Sequence, residues 1–145
     1  MEQQEHFRRL ERMYAAAPIN AIYEPRIEVR EGEAEIEIAL SERFHHAAGA
    51  VHGSVYFKML DDAAFFAANS LEQRFFVLTV SFTTYLTRPV VSGTFRAVGR
   101  VVFKSKKQSI AESVVYDAEG NEAGRGNGIF LPGRWPLKDA LGYSE

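Results

Sequence analysis

The chain contains no cysteine. This absence excludes a disulfide framework, a thiolate metal site and a catalytic thiol within the sequence. A surplus of one charge is also missing, because 17 lysines and arginines stand against 19 aspartates and glutamates, a formal net charge of −2. A general nucleic-acid binder needs a basic surplus to displace counterions from the phosphates, so the charge balance argues against that class of protein.

Long apolar runs and targeting signals are absent as well. No apolar run approaches the ~18 residues that a membrane span requires. The segment 1–5 is acidic and polar, whereas a secretory signal needs a basic flank and an apolar stretch. We therefore expect a cytoplasmic protein without a membrane partner.

Aromatic residues are abundant, with 11 Phe, 6 Tyr and 1 Trp among 145 residues. The composition, 46% hydrophobic and 25% charged, is that of a globular protein, and a chain of this length can bury a substantial core. We predict one domain over residues 1–145, with a core over about 26–131 and a tail over 132–145. The rings must lie in that core, in an interface or in a ligand pocket.

Hydrophobic periodicity predicts a helix, two strands, a long helix and then four strands. Helical spacing covers about residues 5–17 and, in the strongly apolar form typical of a buried helix, about 53–70. The predicted strands are 27–29, 34–40, 75–88, 94–104, 109–116 and 122–131. Short connections between the last four strands favour an antiparallel sheet. The predicted fold class is therefore α+β, with an antiparallel sheet around one apolar helix.

The start of the long helix carries the clearest chemical signal. His52, Gly53 and Ser54 stand where the first N–H groups of a helix lack internal partners. A glycine there lets a ligand oxygen approach the backbone, as an oxyanion hole requires. Asp61 and Asp62 follow within the apolar helix, where burial should raise a carboxyl pKa and suit it to act as a general base or nucleophile. Their directions differ by about 100°, so only one of them can point into a given site.

The order of these residues resembles a known family. His52-Gly53-Ser54, followed nine residues after His52 by Asp61 within L-D-x-A-x-x-x-A, is similar to the H-G-G…D-x-A-x-x-x-A signature of PaaI-type hotdog-fold acyl-CoA thioesterases. Segments 79–89 and 117–130 are similar to later parts of that family, so the resemblance covers about residues 36–131. It implies a hotdog fold, an antiparallel sheet wrapped around a long central helix, here with an extra N-terminal helix.

The resemblance also implies roles for individual residues. Asp61 would be the catalytic carboxylate, either as general base on a water or as nucleophile on the thioester. The Gly53 N–H would polarise the thioester carbonyl, and Thr79 would position the water. His46 stands where many relatives have Asn or Gln to hold the carbonyl or the water. An imidazole N–H can donate a hydrogen bond as an amide does.

The resemblance further implies an acyl-CoA substrate, no metal or redox cofactor, and a homodimer or a dimer of dimers. The active site would cross the dimer interface, with Gly53 and His46 of one subunit facing Asp61 and Thr79 of the other. Basic residues could meet the coenzyme A phosphates, aromatic residues could line an acyl pocket, and His52 could instead orient its own loop. The candidate substrate contacts are His52, Ser54, Tyr56, Phe57, Phe82, Arg88, Lys104, Lys106 and Lys107.

Two other functions stay open at this point. A non-catalytic module that binds acyl-CoA or lipid is motivated by His46 in the position of the usual amide. A hotdog hydratase or dehydratase would pair the aspartate with a later histidine, and no histidine follows Asp61 in the sequence, which counts against it. The sequence does not indicate whether the acyl group is aromatic or aliphatic.

Overall fold

The computed structural model describes residues 1–144. Its two long helices and six strands follow the predicted order, and one short helix before the first strand was not predicted. They are α1 (Gln3–Ala16), α2 (Asn20–Tyr23), β1 (Arg26–Arg30), β2 (Glu33–Ala39), α3 (Gly53–Asn69), β3 (Phe75–Leu86), β4 (Thr94–Lys104), β5 (Ser109–Tyr116) and β6 (Glu122–Pro136). No helix within the described residues is long and apolar enough to cross a membrane.

The six strands form one antiparallel sheet in the order β1-β2-β4-β5-β6-β3. The long helix α3 lies on the inner face of this sheet and contacts β2 through β6. This arrangement is the hotdog architecture, and it confirms the predicted fold class.

The central helix α3 packs closely on the sheet because its residues at the contact are apolar, and some of them are small. Met59, Leu60 and Ala63 are at most 1% exposed. A Cβ atom placed on Gly99 of β4 would lie 2.3 Å from the carbonyl carbon of Ala63, so only glycine lets the helix backbone rest on this strand. The Ser113 hydroxyl of β5 donates to the carbonyl of Leu60 at 2.7 Å, which satisfies a buried polar group at the same contact.

The two edge strands of the sheet differ in what covers them. At the β1 edge, helix α1 covers the strand: Arg8 donates to the Val29 carbonyl at 2.9 Å, and the Val29 N–H donates to the Glu11 carboxylate at 2.8 Å. At the β3 edge, Leu78 and Val80 are 52% and 56% exposed. A strand edge with exposed apolar side chains is a template for pairing with another strand.

The last strand extends beyond the predicted end at about residue 131, since β6 continues to Pro136. Prolines 132 and 136 are tolerated there because the register with β5 ends at the pair Ser109–Phe130, so one side of β6 is free of ladder bonds. The tail that follows is anchored by Tyr143, whose hydroxyl lies 2.7 Å from Nδ1 of the buried His6. His6 in turn donates from Nε2 to the Asn69 carbonyl at 2.8 Å.

Candidate active site

A carboxylate and a hydroxyl meet where α3 passes β3. The Thr79 hydroxyl donates to Oδ1 of Asp61 at 3.0 Å. Burial raises the pKa of Asp61 from 3.8 to about 6, although the hydrogen bond from Thr79 acts in the opposite direction. Asp61 is therefore a carboxyl group that can gain and lose a proton near neutral pH, as a general base must.

The neighbouring Asp62 has a different environment. It accepts hydrogen bonds from the Tyr14 hydroxyl at 2.6 Å and from the Lys58 ammonium at 2.7 Å. Burial, followed by the charge of Asp62, raises the pKa of Tyr14, so that its hydroxyl keeps its proton and donates to the carboxylate. These contacts attach α1 to α3.

The start of α3 presents backbone donors to the surface. His52 is the N-cap residue, and its Nδ1 accepts from the Ser54 N–H at 3.0 Å and from the Ser54 hydroxyl at 2.8 Å. The ring therefore orients the loop, and both residues hold the helix start in place. The N–H of Gly53 has no hydrogen-bond partner within residues 1–144. It is the kind of donor that an oxyanion hole uses.

The donor and the base are far apart within one chain. Gly53 and Asp61 are eight residues apart on α3, which corresponds to a rise of about 12 Å. One substrate carbonyl cannot contact both groups of the same chain.

A cavity of about 360 Å³ opens beside Asp61. Residues from three parts of the chain line it: the segment 13–20, the Lys58–Phe66 part of α3, and the first half of β3 from Phe76 to Thr79. Because the family resemblance implies an acyl pocket, we call this cavity the acyl chamber. Most of its lining is apolar, and Asp61, Thr79, Lys58, Asp62 and Asn20 supply its polar groups.

The three aromatic residues predicted to line an acyl pocket lie outside this cavity. Tyr56 is 3% exposed and lies in the core, where its ring packs edge-on to Phe95 and its hydroxyl donates to the Arg88 carbonyl at 2.8 Å. Phe57 is 42% exposed and packs edge-to-face on Phe82. None of these three predicted wall residues, Tyr56, Phe57 or Phe82, lines the acyl chamber. The helical pattern shows that Tyr56 and Phe57 point in different directions, but it does not show which direction meets a cavity.

The other predicted contacts lie on the surface. His46 is exposed in the loop before α3, and its Nδ1 accepts from the Ala48 N–H at 3.1 Å. The exposed lysines 104, 106 and 107 form the β4–β5 turn. This turn and Thr79 lie at the same end of the sheet, because Ser109 and Thr79 both pair with Phe130. Arg88 is exposed just beyond the opposite end of β3.

Comparison with known proteins identifies the family. The sequence model of the thioesterase superfamily matches residues 48–123, just over half of the chain. The chain belongs to the thioesterase superfamily. The matched region contains both Gly53 and Asp61, and the predicted family is confirmed.

This member of the thioesterase superfamily is similar in structure to the Escherichia coli PaaI protein from the phenylacetic acid degradation operon. The TM-score is 0.83 at 17% identity, over 92% of this chain and 97% of that one. A Haemophilus influenzae thioesterase gives 0.74 at 15% identity, over 83% and 85%. A mutant Pseudomonas aeruginosa thioesterase gives 0.75 at 15% identity, over 85% and 94%. At these identities the likeness establishes the fold. No curated protein matches the chain in sequence.

The sequence left open whether the N-terminal helix of this thioesterase-superfamily member caps the pocket or extends an interface, and it indicated none of the N-terminal residues that border the acyl chamber. Met13, Tyr14 and Asn20 line it, together with Phe76 of β3. The apolar stripe of α1 indicated that this helix packs on something, and Lys58 is conspicuous as a charge within an apolar helix. Neither signal specifies that the two elements enclose a cavity beside Asp61.

Proposed function

We propose that this protein hydrolyses an acyl-CoA thioester to a free acid and coenzyme A. The observation that carries the proposal is Asp61, a half-buried carboxylate with a raised pKa that is bonded to Thr79 and faces an apolar chamber. A base of this kind needs a bound acyl group beside it, and the acyl chamber offers the space for one.

The reaction requires one proton acceptor and one oxyanion donor. Asp61 takes a proton from water as the water oxygen attacks the thioester carbonyl, and a backbone N–H binds the oxygen that becomes negative. The C–S bond then breaks, and the departing thiolate receives the proton from Asp61. In the alternative route Asp61 itself attacks, forming an anhydride that water opens. Label on Asp61 after a single turnover in ¹⁸O-labelled water would establish the second route, because it arises only when water opens the anhydride at the Asp61 carbonyl.

The oxyanion donor would come from a second copy of the chain. Gly53 is too far from Asp61 within one chain, and the β3 edge is exposed and apolar. Two β3 strands that pair antiparallel about Phe82 and Thr83 would bring the Gly53 end of one copy to the Asp61 end of the other. The proposed active unit is therefore a homodimer, alone or within a dimer of dimers.

Coenzyme A phosphates would meet basic residues near the same point. The lysine turn 104–107 lies at the Thr79 end of its own sheet. In the proposed dimer, Arg88 of the second copy would approach that end as well. We propose these side chains as phosphate contacts, to be tested by the salt dependence of KM.

Complementation tests the shared site. Gly53→Pro removes the donor N–H at the first helical position, where proline is tolerated, and His52 already has the extended backbone (φ −64°, ψ 143°) that precedes proline. We expect Gly53→Pro and Asp61→Asn to be inactive alone and active when unfolded and refolded together, because the mixed dimer regains one intact site. Gly53→Ala keeps the N–H and is the matched control.

The primary assay is release of free thiol from a panel of aryl and fatty acyl-CoAs. The proposal expects turnover of at least one of them by the purified protein. Tight binding of acyl-CoA without thiol release would instead favour a non-catalytic binding module. Failure of the refolded mixture to recover activity, with both parents folded and mixed dimers formed, would mean that the Gly53 N–H of a second copy is not the oxyanion donor for Asp61.

A further inference from the structure

Two charged side chains of α3 have no part in the proposed reaction. The helix carries Lys58, Asp61 and Asp62 within little more than one turn, and its other residues are uncharged. We propose that Lys58 is a positioning residue for Asp61, and that its ammonium group, held by Asp62, keeps Asp61 in the carboxylate form that the reaction needs. The inference rests on the proposed function, because Asp61 is the base of that reaction.

The ammonium group of Lys58 has a fixed position. It donates to Oδ2 of Asp62 at 2.7 Å, and the two side chains are only 13% and 20% exposed. Its nitrogen lies 5.3 Å from the ring centroid of Tyr14 and 5.0 Å from that of Tyr23. Aromatic rings attract a cation at such distances, so α1 and α2 together hold the charge against α3.

The ion pair borders the acyl chamber and lies beside Asp61. Asp61 is three residues after Lys58, and side chains at this spacing are neighbours on the surface of a helix. Solvent and salt screen mostly buried charges much less than exposed ones. Both members of the pair therefore act on the Asp61 carboxylate.

The two charges act on Asp61 in opposite directions. Burial, the largest cause, raises the pKa of Asp61 to about 6, and the hydrogen bond from Thr79 lowers it. The charge of Asp62 raises this pKa further, whereas the charge of Lys58 lowers it. Without Lys58, the Asp61 carboxylate would face an uncompensated negative neighbour and would bind its proton more tightly.

The groups that face Asp61 from other elements do not supply a second positive charge. Strand β3 contributes the neutral hydroxyl of Thr79. Helix α1 contributes Tyr14, whose hydroxyl keeps its proton, and α2 contributes the Tyr23 ring beside the ammonium. Among the described residues that line the chamber, Lys58 is the only cation.

A purely structural role is a weak explanation for the pair. Taking two charges out of water costs about as much free energy as their attraction returns, so two apolar residues could join α1 to α3 equally well. An apolar pair in the same place would have no electrostatic effect on Asp61.

Removing each charge of the pair tests the proposal. Lys58→Met removes the positive charge, and we expect the acid limb of the pH profile of kcat/KM to move to higher pH by at least about half a unit. Asp62→Asn should move it to lower pH, because the amide can still accept from Tyr14 but carries no charge. The double variant should lie between the two single variants. Lys58→Arg keeps the charge and is the matched control, with the profile of the parent.

Titration of Asp61 itself gives a readout that needs no substrate. The carboxyl ¹³C resonance of labelled aspartate, assigned by its loss in Asp61→Asn, reports the ionisation of this group directly. We expect the lowest midpoint in Asp62→Asn, the highest in Lys58→Met, and equal midpoints in Lys58→Arg and the parent.

The outcomes of these tests separate the two proposals. If no acyl-CoA releases thiol, the proposed function fails, and the carboxyl titration still decides the effect of Lys58 on Asp61. An unchanged midpoint in Lys58→Met, or a shift in the same direction in Lys58→Met and Asp62→Asn, would overturn the role of Lys58. If Lys58→Met does not fold, Asp62→Asn and the double variant differ only at residue 58, and equal midpoints in these two would overturn it.

Discussion

The adjacent carboxylates Asp61 and Asp62 lie on two sides of α3 and have different hydrogen-bond partners. On the side that faces the edge strand β3, Asp61 has one hydrogen bond, from Thr79, and lines a cavity. Asp62 borders the same cavity from the side that faces α1, but it is bonded to both Tyr14 and Lys58. A step of one residue turns the side chain by about 100°, which is enough to exchange one environment for the other. The element opposite each carboxylate, an edge strand or a packed helix, therefore decides how many of its hydrogen-bonding positions are occupied within the chain.

We expect the largest effect on activity from a substitution of Asp61, on the side of α3 that faces β3. Asp61→Asn keeps the shape of the side chain but cannot accept a proton at neutral pH, so we expect kcat to fall by ~10²–10⁴-fold. Steady-state release of free thiol measures this loss. A variant that hydrolyses as fast as the parent would remove Asp61 from the mechanism.

For Asp62, on the side of α3 that faces α1, we expect substitution to reduce stability more than rate. Asp62→Ala leaves the Lys58 ammonium, whose side chain is only 13% exposed, and the Tyr14 hydroxyl without their partner. We expect the free energy of unfolding to fall by about 2–3 kcal/mol, measured by urea denaturation. The rate loss should stay far below that of Asp61→Asn when both variants are assayed well below their melting temperatures. Comparable rate losses would mean that the two carboxylates share one role.

A milder change on the same side is Tyr14→Phe. It removes one hydrogen bond to Asp62 but keeps the ring that packs on Phe66. We expect a loss of about 1–2 kcal/mol in the free energy of unfolding with kcat/KM for acetyl-CoA little changed. Thermal and urea unfolding check the first value. An unchanged stability would show that Lys58 alone is enough to hold Asp62.

The smallest effect is a shift in pH dependence. Activity needs the carboxylate form of Asp61, whose pKa is about 6, so kcat/KM should fall as pH drops through that value and level off above it. The Thr79 hydrogen bond lowers this pKa, so Thr79→Val should move the profile to higher pH. A profile measured for parent and variant between pH 4.5 and 8, a range of about three and a half units around this pKa, checks the direction.

The same carboxyl group should affect folding. Its pKa rises from 3.8 to about 6 on burial, so the folded state binds the proton more tightly between those values. Stability should therefore decline as pH rises through this window, and Asp61→Asn should remove this contribution. A variant with the parent's full pH dependence would assign it to other groups.

The sequence predicts most of this fold because its patterns are local. Alternating glutamates mark β2, and the apolar run marks α3. The end of β6 was missed because Pro132 normally opposes a strand, and its tolerance depends on where β5 begins. The end of β6 is therefore set by its register with β5, and it cannot be predicted from the residues of β6 alone.

The candidate site was predictable to a different degree. The helix start and the two aspartates are visible in the sequence, but the preference for Asp61 came from family resemblance. The Tyr14–Asp62 contact spans 48 residues and depends on how α1 packs, which no local pattern encodes. Tyr56 was misplaced for the same reason, because its direction is set by contact with Phe95.

The cover that α1 places on β1 has a consequence for the size of any assembly. A sheet with two available edges can add neighbours on both sides and grow into a fibre. Arg8 and Glu11 occupy the backbone groups of Val29, so growth through that edge is blocked. Pairing of β3 with its own copy then uses the remaining edge of each sheet. In the proposed dimer the continuous sheet would therefore end at two subunits, because the N-terminal helix covers the outer edge of each.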